Sequence, residues 1–105
     1  MARFDVYSNR ARNRESSPYV VDIQASTVNF VGTRVVILLT RIDRMGLSNG
    51  ATALFPVFVI LDNRLFLHTS ELSSLSIRHF GRPVASLQLA QHRITSALDF
   101  LFNGY

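Results

Sequence analysis

Leu87, Ala90, Ile94, Ala97, Leu98 and Leu101 recur at spacings of three and four residues, the single apolar stripe of an α-helix running from about Ser86 to Phe102. Ser86 is suited to cap its start, because a serine hydroxyl can accept the unpaired N–H groups of a first helical turn. Gln91, Thr95 and Asp99 lie on the opposite face. The stripe continues almost to the last residue, closing on Phe102, Asn103, Gly104 and Tyr105. A chain end normally frays, so an apolar one has to dock on a surface supplied by the same chain, on a partner, or on both.

The segments upstream have the period of strands. Phe4 and Val6 alternate with Arg3, Asp5 and Tyr7, so a first strand begins almost at Met1. Tyr19, Val21 and Ile23 repeat the alternation. After Gly32, the β-branched run Arg34 to Leu39 is long enough to be a strand buried on both faces. Phe55 to Leu61 reads as another buried strand, with Pro56 near its beginning, where a missing N–H is tolerated. Asp62 and Asn63 supply a two-residue turn into Arg64 to His68, making a hairpin. A short turn of helix is expected within Thr69 to Leu75 and a short strand over Ser76 to Phe80, ended by Gly81, Arg82 and Pro83. Two polar stretches, Ser8 to Pro18 and Arg41 to Thr52, read as long exposed loops. Five or six mostly antiparallel strands followed by one terminal helix define an α+β, mainly β fold, a small partly open antiparallel barrel with the helix as its cap.

A chain of 105 residues is expected to form one domain, residues 1–105, near the size at which oligomerisation adds useful stability. Its apolar content of 48% against 17% charged residues argues against a disordered tail. No apolar run approaches a membrane span and no signal sequence is seen, so a soluble cytoplasmic protein is expected. Cysteine is absent, which removes disulfides and thiolate metal ligands.

The histidines, His68, His79 and His92, lack metal-ligand spacing, and neither a metal nor another cofactor is expected. The seven carboxylates are scattered, no nucleophile elbow surrounds a serine, and no glycine-rich phosphate loop follows a strand. These absences argue against an enzyme and leave function to surfaces. All eleven basic residues are arginine, and the formal charge is +4. Arg10, Arg12 and Arg14 crowd one loop that lacks the interleaved aromatic residues of a nucleic-acid platform. Such a loop is either a solvated face or a landing site for an acidic peptide, since guanidinium pairs well with carboxylates.

The tail pattern Ala97-Leu98-Asp99-Phe100-Leu101-Phe102 with its following Gly resembles the C-terminus of the CcdB family of bacterial toxins. Three further blocks are similar to that family in the same order: Arg3 to Tyr7 leading to Val20 to Gln24, Leu54 to Val57 leading to His68 to Leu72, and Gly81 leading to Val84 to Leu87. The resemblance implies an SH3-like barrel with a C-terminal helix, a homodimer, and the toxin role in a type II toxin–antitoxin pair. It implies binding to the DNA gyrase A subunit, trapping of the cleaved gyrase–DNA complex, and neutralisation by a CcdA-like antitoxin.

Carried over residue by residue, the family's gyrase contacts fall on Thr27, Val28, Asp99, Asn103, Gly104 and Tyr105. The antitoxin contacts fall near Arg10, Arg12 and Arg14. Only Gly104 keeps the familiar residue, with Val28 a close replacement. Well-known members carry Trp where this chain has Asn103, a ring that stacks on an arginine of the target, and such a desolvated contact is worth on the order of 1–2 kcal/mol. The alternative expectation is therefore a non-toxic or degenerate CcdB-like module that holds an acidic antitoxin peptide without poisoning gyrase.

Overall fold

The alternating segments pair into β1 (Asp5–Asn9), β2 (Tyr19–Asp22), β3 (Thr33–Arg41), β4 (Val57–Ile60), β5 (Asn63–Ser76) and β6 (Phe80–Ser86), followed by α1 (Gln91–Asn103). This computed structural model describes residues 2–24, 32–44 and 53–104. The strands form one antiparallel sheet in the order β4-β5-β3-β2-β1-β6, curled into a small open barrel with α1 against it.

Alternation places two apolar sets on opposite faces. Val6, Val21, Ile37, Leu39, Phe58, Ile60, Leu65 and Leu67 form the main core with Ile94 and Ala97 of the helix. Fully burying Ile94 contributes about 1.5–3 kcal/mol toward docking the helix. Tyr7, Val20, Val36, Leu38 and Phe80 form a second cluster on the other face, where the Tyr7 and Phe80 rings meet edge-on at 5.0 Å. Val36 to Thr40 are all buried, as the β-branched run predicts.

The helix is also tied to β4. Arg93 donates from Nη2 to the Val57 carbonyl at 2.8 Å and lies 4.3 Å above the Phe58 ring. A 3-10 turn, Gln88–Ala90, precedes α1, and Ser86 Oγ accepts the Gln88 N–H at 3.2 Å. The expected capping serine therefore caps neither element: Leu87 holds the cap position of the 3-10 turn, Ser86 accepts an N–H from one position before it, and α1 proper starts later than expected, at Gln91.

Several expectations are corrected. The β4–β5 turn is Leu61-Asp62, with φ of 48° and 68°, and Ile60 pairs with Asn63. Moving the turn by one position shifts the register by two residues and leaves the same side chains on the core face, so burial alone did not distinguish the two. Positive φ at both turn residues matches the strand twist.

The expected helical turn over Thr69 to Leu75 is instead part of β5. Leu39 pairs with Leu67 and Ile37 with Leu72, so a bulge opposite Leu38 absorbs the surplus residues and bends the strand. The strand expected over Ser76 to Phe80 is a 3-10 turn, Ile77–His79, and β6 runs through the Gly81-Arg82-Pro83 stretch expected to break the chain. An edge strand tolerates proline, and Gly81 allows close approach to Ser8. β4 is also less enclosed than expected, with Val59 63% exposed.

Candidate functional site

Two surfaces are built from the residues named in the sequence, one at the helix tip and one on the loop after β1. At the tip, Asp99, Asn103 and Gly104 are exposed. Asp99 and Asn103 lie four residues apart, hence on one side of the last turns. Gly104 has φ 79° and donates its N–H to the Phe100 carbonyl at 2.9 Å, the left-handed cap that glycine adopts without steric cost. Thr27, Val28 and Tyr105 lie outside the described residues, so the structure neither joins them to the tip nor separates them from it.

Phe100 and Phe102 change the picture of this end. Their exposures of 40% and 69% leave rings uncovered beside Asp99 and Asn103, so of the two ways to dock an apolar chain end, on its own core or on a partner, Phe102 does not take the first. The stripe itself carries the signal: a helix that already buries Ile94 and Ala97 turns residues 100 and 102 off that face.

The basic loop is more ordered than its composition suggests. Asn9 is buried and its amide makes three bonds: Nδ2 donates to the Ser17 carbonyl at 2.7 Å and to Asn13 Oδ1 at 2.8 Å, and Oδ1 accepts the Ala11 N–H at 3.0 Å. These bonds fold residues 12–15 into a 3-10 turn that carries Arg12 and Arg14 outward. Arg10, Arg12 and Arg14 are all exposed, and Arg14 also donates to the Ala11 carbonyl at 3.2 Å. Arg41 fixes the far end by donating from Nε to the Glu15 carbonyl at 2.7 Å.

Tertiary structure adds a second basic group. The Arg10 N–H donates to the His79 carbonyl at 2.9 Å, so the turn containing Arg78 and His79, with Arg82 just beyond, abuts the basic loop. Nothing in the linear sequence signals this meeting across nearly seventy residues, since it depends on β1 pairing with β6.

On the other side of Asn13, a cavity of about 380 Å³ is lined by Asn13, Ser16, Ser17, Leu38, Thr40, His68 and Glu71. Ser17 Oγ and Thr40 Oγ1 are 2.9 Å apart, and Thr40 Oγ1 lies 3.4 Å from His68 Nδ1. Burial lowers the His68 pKa below 6.5, against a smaller opposing effect of Glu71. The ring is neutral near pH 7 and packs against Phe66 and Phe55. A hydroxyl pair beside an imidazole has part of the make-up of an acid–base site; among the described residues its one charged lining group is Glu71, which repels a phosphodiester. His79 and His92 lie on other elements, and the described residues contain no cluster of three or more metal-ligating side chains.

The largest departure from surface chemistry is a buried ion pair. Arg34 Nε donates to Asp22 Oδ2 at 2.7 Å, with the side chains 3% and 0% exposed. Asp22 Oδ1 accepts the Gln24 N–H at 3.0 Å, and Arg34 Nη2 donates to the Gln24 carbonyl at 2.9 Å. The pair joins the end of β2 to the start of β3, the two ends of the connection on which Thr27 and Val28 lie.

Comparison with known proteins places the fold. A mycobacterial endoribonuclease in complex with its cognate antitoxin is similar at a TM-score of 0.72 and 13% identity, covering 97% of this chain and 94% of that one. A second mycobacterial endoribonuclease is similar at 0.70 and 13%, covering 97% and 90%. At such identity the likeness is one of fold. The profile of the CcdB family, described as CcdB protein, matches residues 3–104, and with nearly the whole chain matched this protein belongs to the CcdB family.

Proposed function

We propose that this protein is the toxin of a toxin–antitoxin pair, that it acts as a homodimer in the cytoplasm, and that it binds the DNA gyrase A subunit through its helix tip, trapping the cleaved gyrase–DNA complex. The observation that carries this reading is the exposed tip itself, Asp99, Phe102, Asn103 and a left-handed Gly104, on a chain of the CcdB family. The uncovered Phe100 and Phe102 rings support a homodimer, because a small domain gains stability by covering such residues with a second copy. The protein works by binding and supplies no chemistry of its own. Two structural neighbours are named endoribonucleases, but the one charged group among the described lining residues of the hydroxyl–imidazole cavity is the anionic Glu71, and RNA is not its substrate in this reading.

The antitoxin is held through Arg10, Arg12 and Arg14 by an acidic segment. One feature favours a second reading, a non-toxic module that binds the antitoxin without poisoning gyrase: Asn103 does not stack as the ring found there in well-known relatives does.

Deleting Asn103 to Tyr105 separates the two readings. The wild-type dimer at micromolar concentration inhibits supercoiling by purified gyrase and stabilises cleaved DNA, while the deletion variant does neither and keeps the wild-type circular dichroism. A wild-type protein with no effect on gyrases from several hosts replaces the toxin reading with the non-toxic module.

A further inference from the structure

We infer that the acidic partner of this protein is held between two arginine-bearing walls, the loop carrying Arg10, Arg12 and Arg14 and the turn carrying Arg78, His79 and Arg82. This rests on the reading that the basic loop receives an acidic segment, and it adds the second wall and the groove between them.

The walls are joined at their base by the Arg10 N–H to His79 carbonyl bond and, one step below, by the pairing of Asn9 with Phe80. Between them runs a shallow groove of about 480 Å³ lined by Ala11, Arg12, Asn13 and His79. Arg78 and Arg82, both exposed, flank His79 in the chain. The groove is pre-formed, because the Asn9 side chain fixes the loop through Ala11, Asn13 and Ser17.

Charge selects the occupant. Among the described residues the one ion pair is Arg34 with Asp22, so the five arginines of the two walls meet no carboxylate there. Two acids sit on neighbouring segments without joining the groove's described lining: Glu15 ends the 3-10 turn that begins at Arg12, and Glu71 lines the cavity on the other side of Asn13. Arg12 lines the groove on one side, exposed Arg78 and Arg82 flank its His79 wall on the other, and guanidinium groups so placed are suited to bidentate carboxylate contacts.

Two observations narrow the occupant to a peptide bound through its side chains. Tyr7 and Phe80, the rings beneath the walls, are buried against each other, so no exposed face is offered for base stacking. The adjoining edge strand β6 carries Arg82 and Pro83, which discourage a partner from adding a strand to the sheet.

The test uses the full-length protein and a synthetic polyglutamate peptide, with affinity followed by calorimetry at two salt concentrations and a single-stranded DNA oligonucleotide as comparator. Arg78→Gln with Arg82→Gln should weaken polyglutamate binding by roughly three- to tenfold and flatten its salt dependence, as expected for two exposed charge pairs. The Arg10, Arg12 and Arg14 triple glutamine variant should weaken it at least as much. Because all five side chains are exposed, circular dichroism should be unchanged in both variants.

A loss confined to the triple variant overturns the second wall and leaves the basic loop as the acidic-peptide surface. Unchanged affinity in both variants, or no binding by the wild type, overturns the acidic-partner reading as a whole. Tighter binding of the oligonucleotide than of polyglutamate, abolished by the same substitutions, overturns the peptide in favour of nucleic acid.

Discussion

Replacing Asp22 by alanine should be among the most damaging changes in this protein, and its size follows from what is left behind. The Arg34 guanidinium is 3% exposed and loses the carboxylate oxygen 2.7 Å from its Nε, while the Gln24 N–H loses its acceptor at 3.0 Å. Breaking one side of a buried pair leaves the guanidinium in a poorly solvated site without its carboxylate, which costs about 3–5 kcal/mol. Typical domain stabilities are about 5–15 kcal/mol, so the loss is a large share of the total. It corresponds to a drop of roughly 12–25 °C in melting temperature for a chain of this size.

Removing both charges is a different perturbation. Asp22→Leu with Arg34→Met exchanges the pair for apolar packing and should recover most of the loss, since the desolvation of both ions disappears with their attraction. Urea unfolding at one fixed protein concentration reads all the variants, because self-association shifts apparent stability with concentration. A cost below about 1 kcal/mol for Asp22→Ala, the value of an exposed pair, refutes the reasoning. So does a double variant no more stable than the single one.

Further outcomes are expected elsewhere. If the helix tip binds gyrase A as proposed, Asn103→Trp should strengthen that binding by about 1–2 kcal/mol through a desolvated cation–π contact, and unchanged affinity in a pull-down titration shows that the target offers no arginine there. Gly81→Ala should destabilise the fold by about 1–3 kcal/mol of overpacking in thermal denaturation, because a Cβ at residue 81 would lie 2.7 Å from Ser8 Cβ and 2.9 Å from the Ser8 carbonyl oxygen; a change near zero refutes that close approach. His68 is held below its ordinary pKa of 6.5 by burial, so the unfolded chain takes up the proton first and stability falls as pH drops below 6.5. His68→Gln should remove that part of the pH dependence, and an identical pH profile of unfolding midpoints in the variant places the effect on another group.

Local pattern alone determined the terminal helix, the presence of β1 and β2 as strands, and the two-faced burial of β3; β1 begins at Asp5 rather than almost at Met1, and both β1 and β2 bury residues on two faces where alternation implied one. It also marked Gly104 as a helix end and Arg10, Arg12 and Arg14 as one basic loop. Tertiary structure decided what depends on distant residues. The β4–β5 register was open to the sequence, since either turn position keeps the same side chains inside. The course of β5 past Thr69 depends on β3 lying alongside to receive it. Arg78 and Arg82 join the basic loop only because β1 and β6 pair, and Asp22 meets Arg34 only because β2 and β3 do. A period of two or of 3.6 reports which face of an element is buried; which charges end up side by side is set by long-range strand pairing, and no local pattern of residues encodes it.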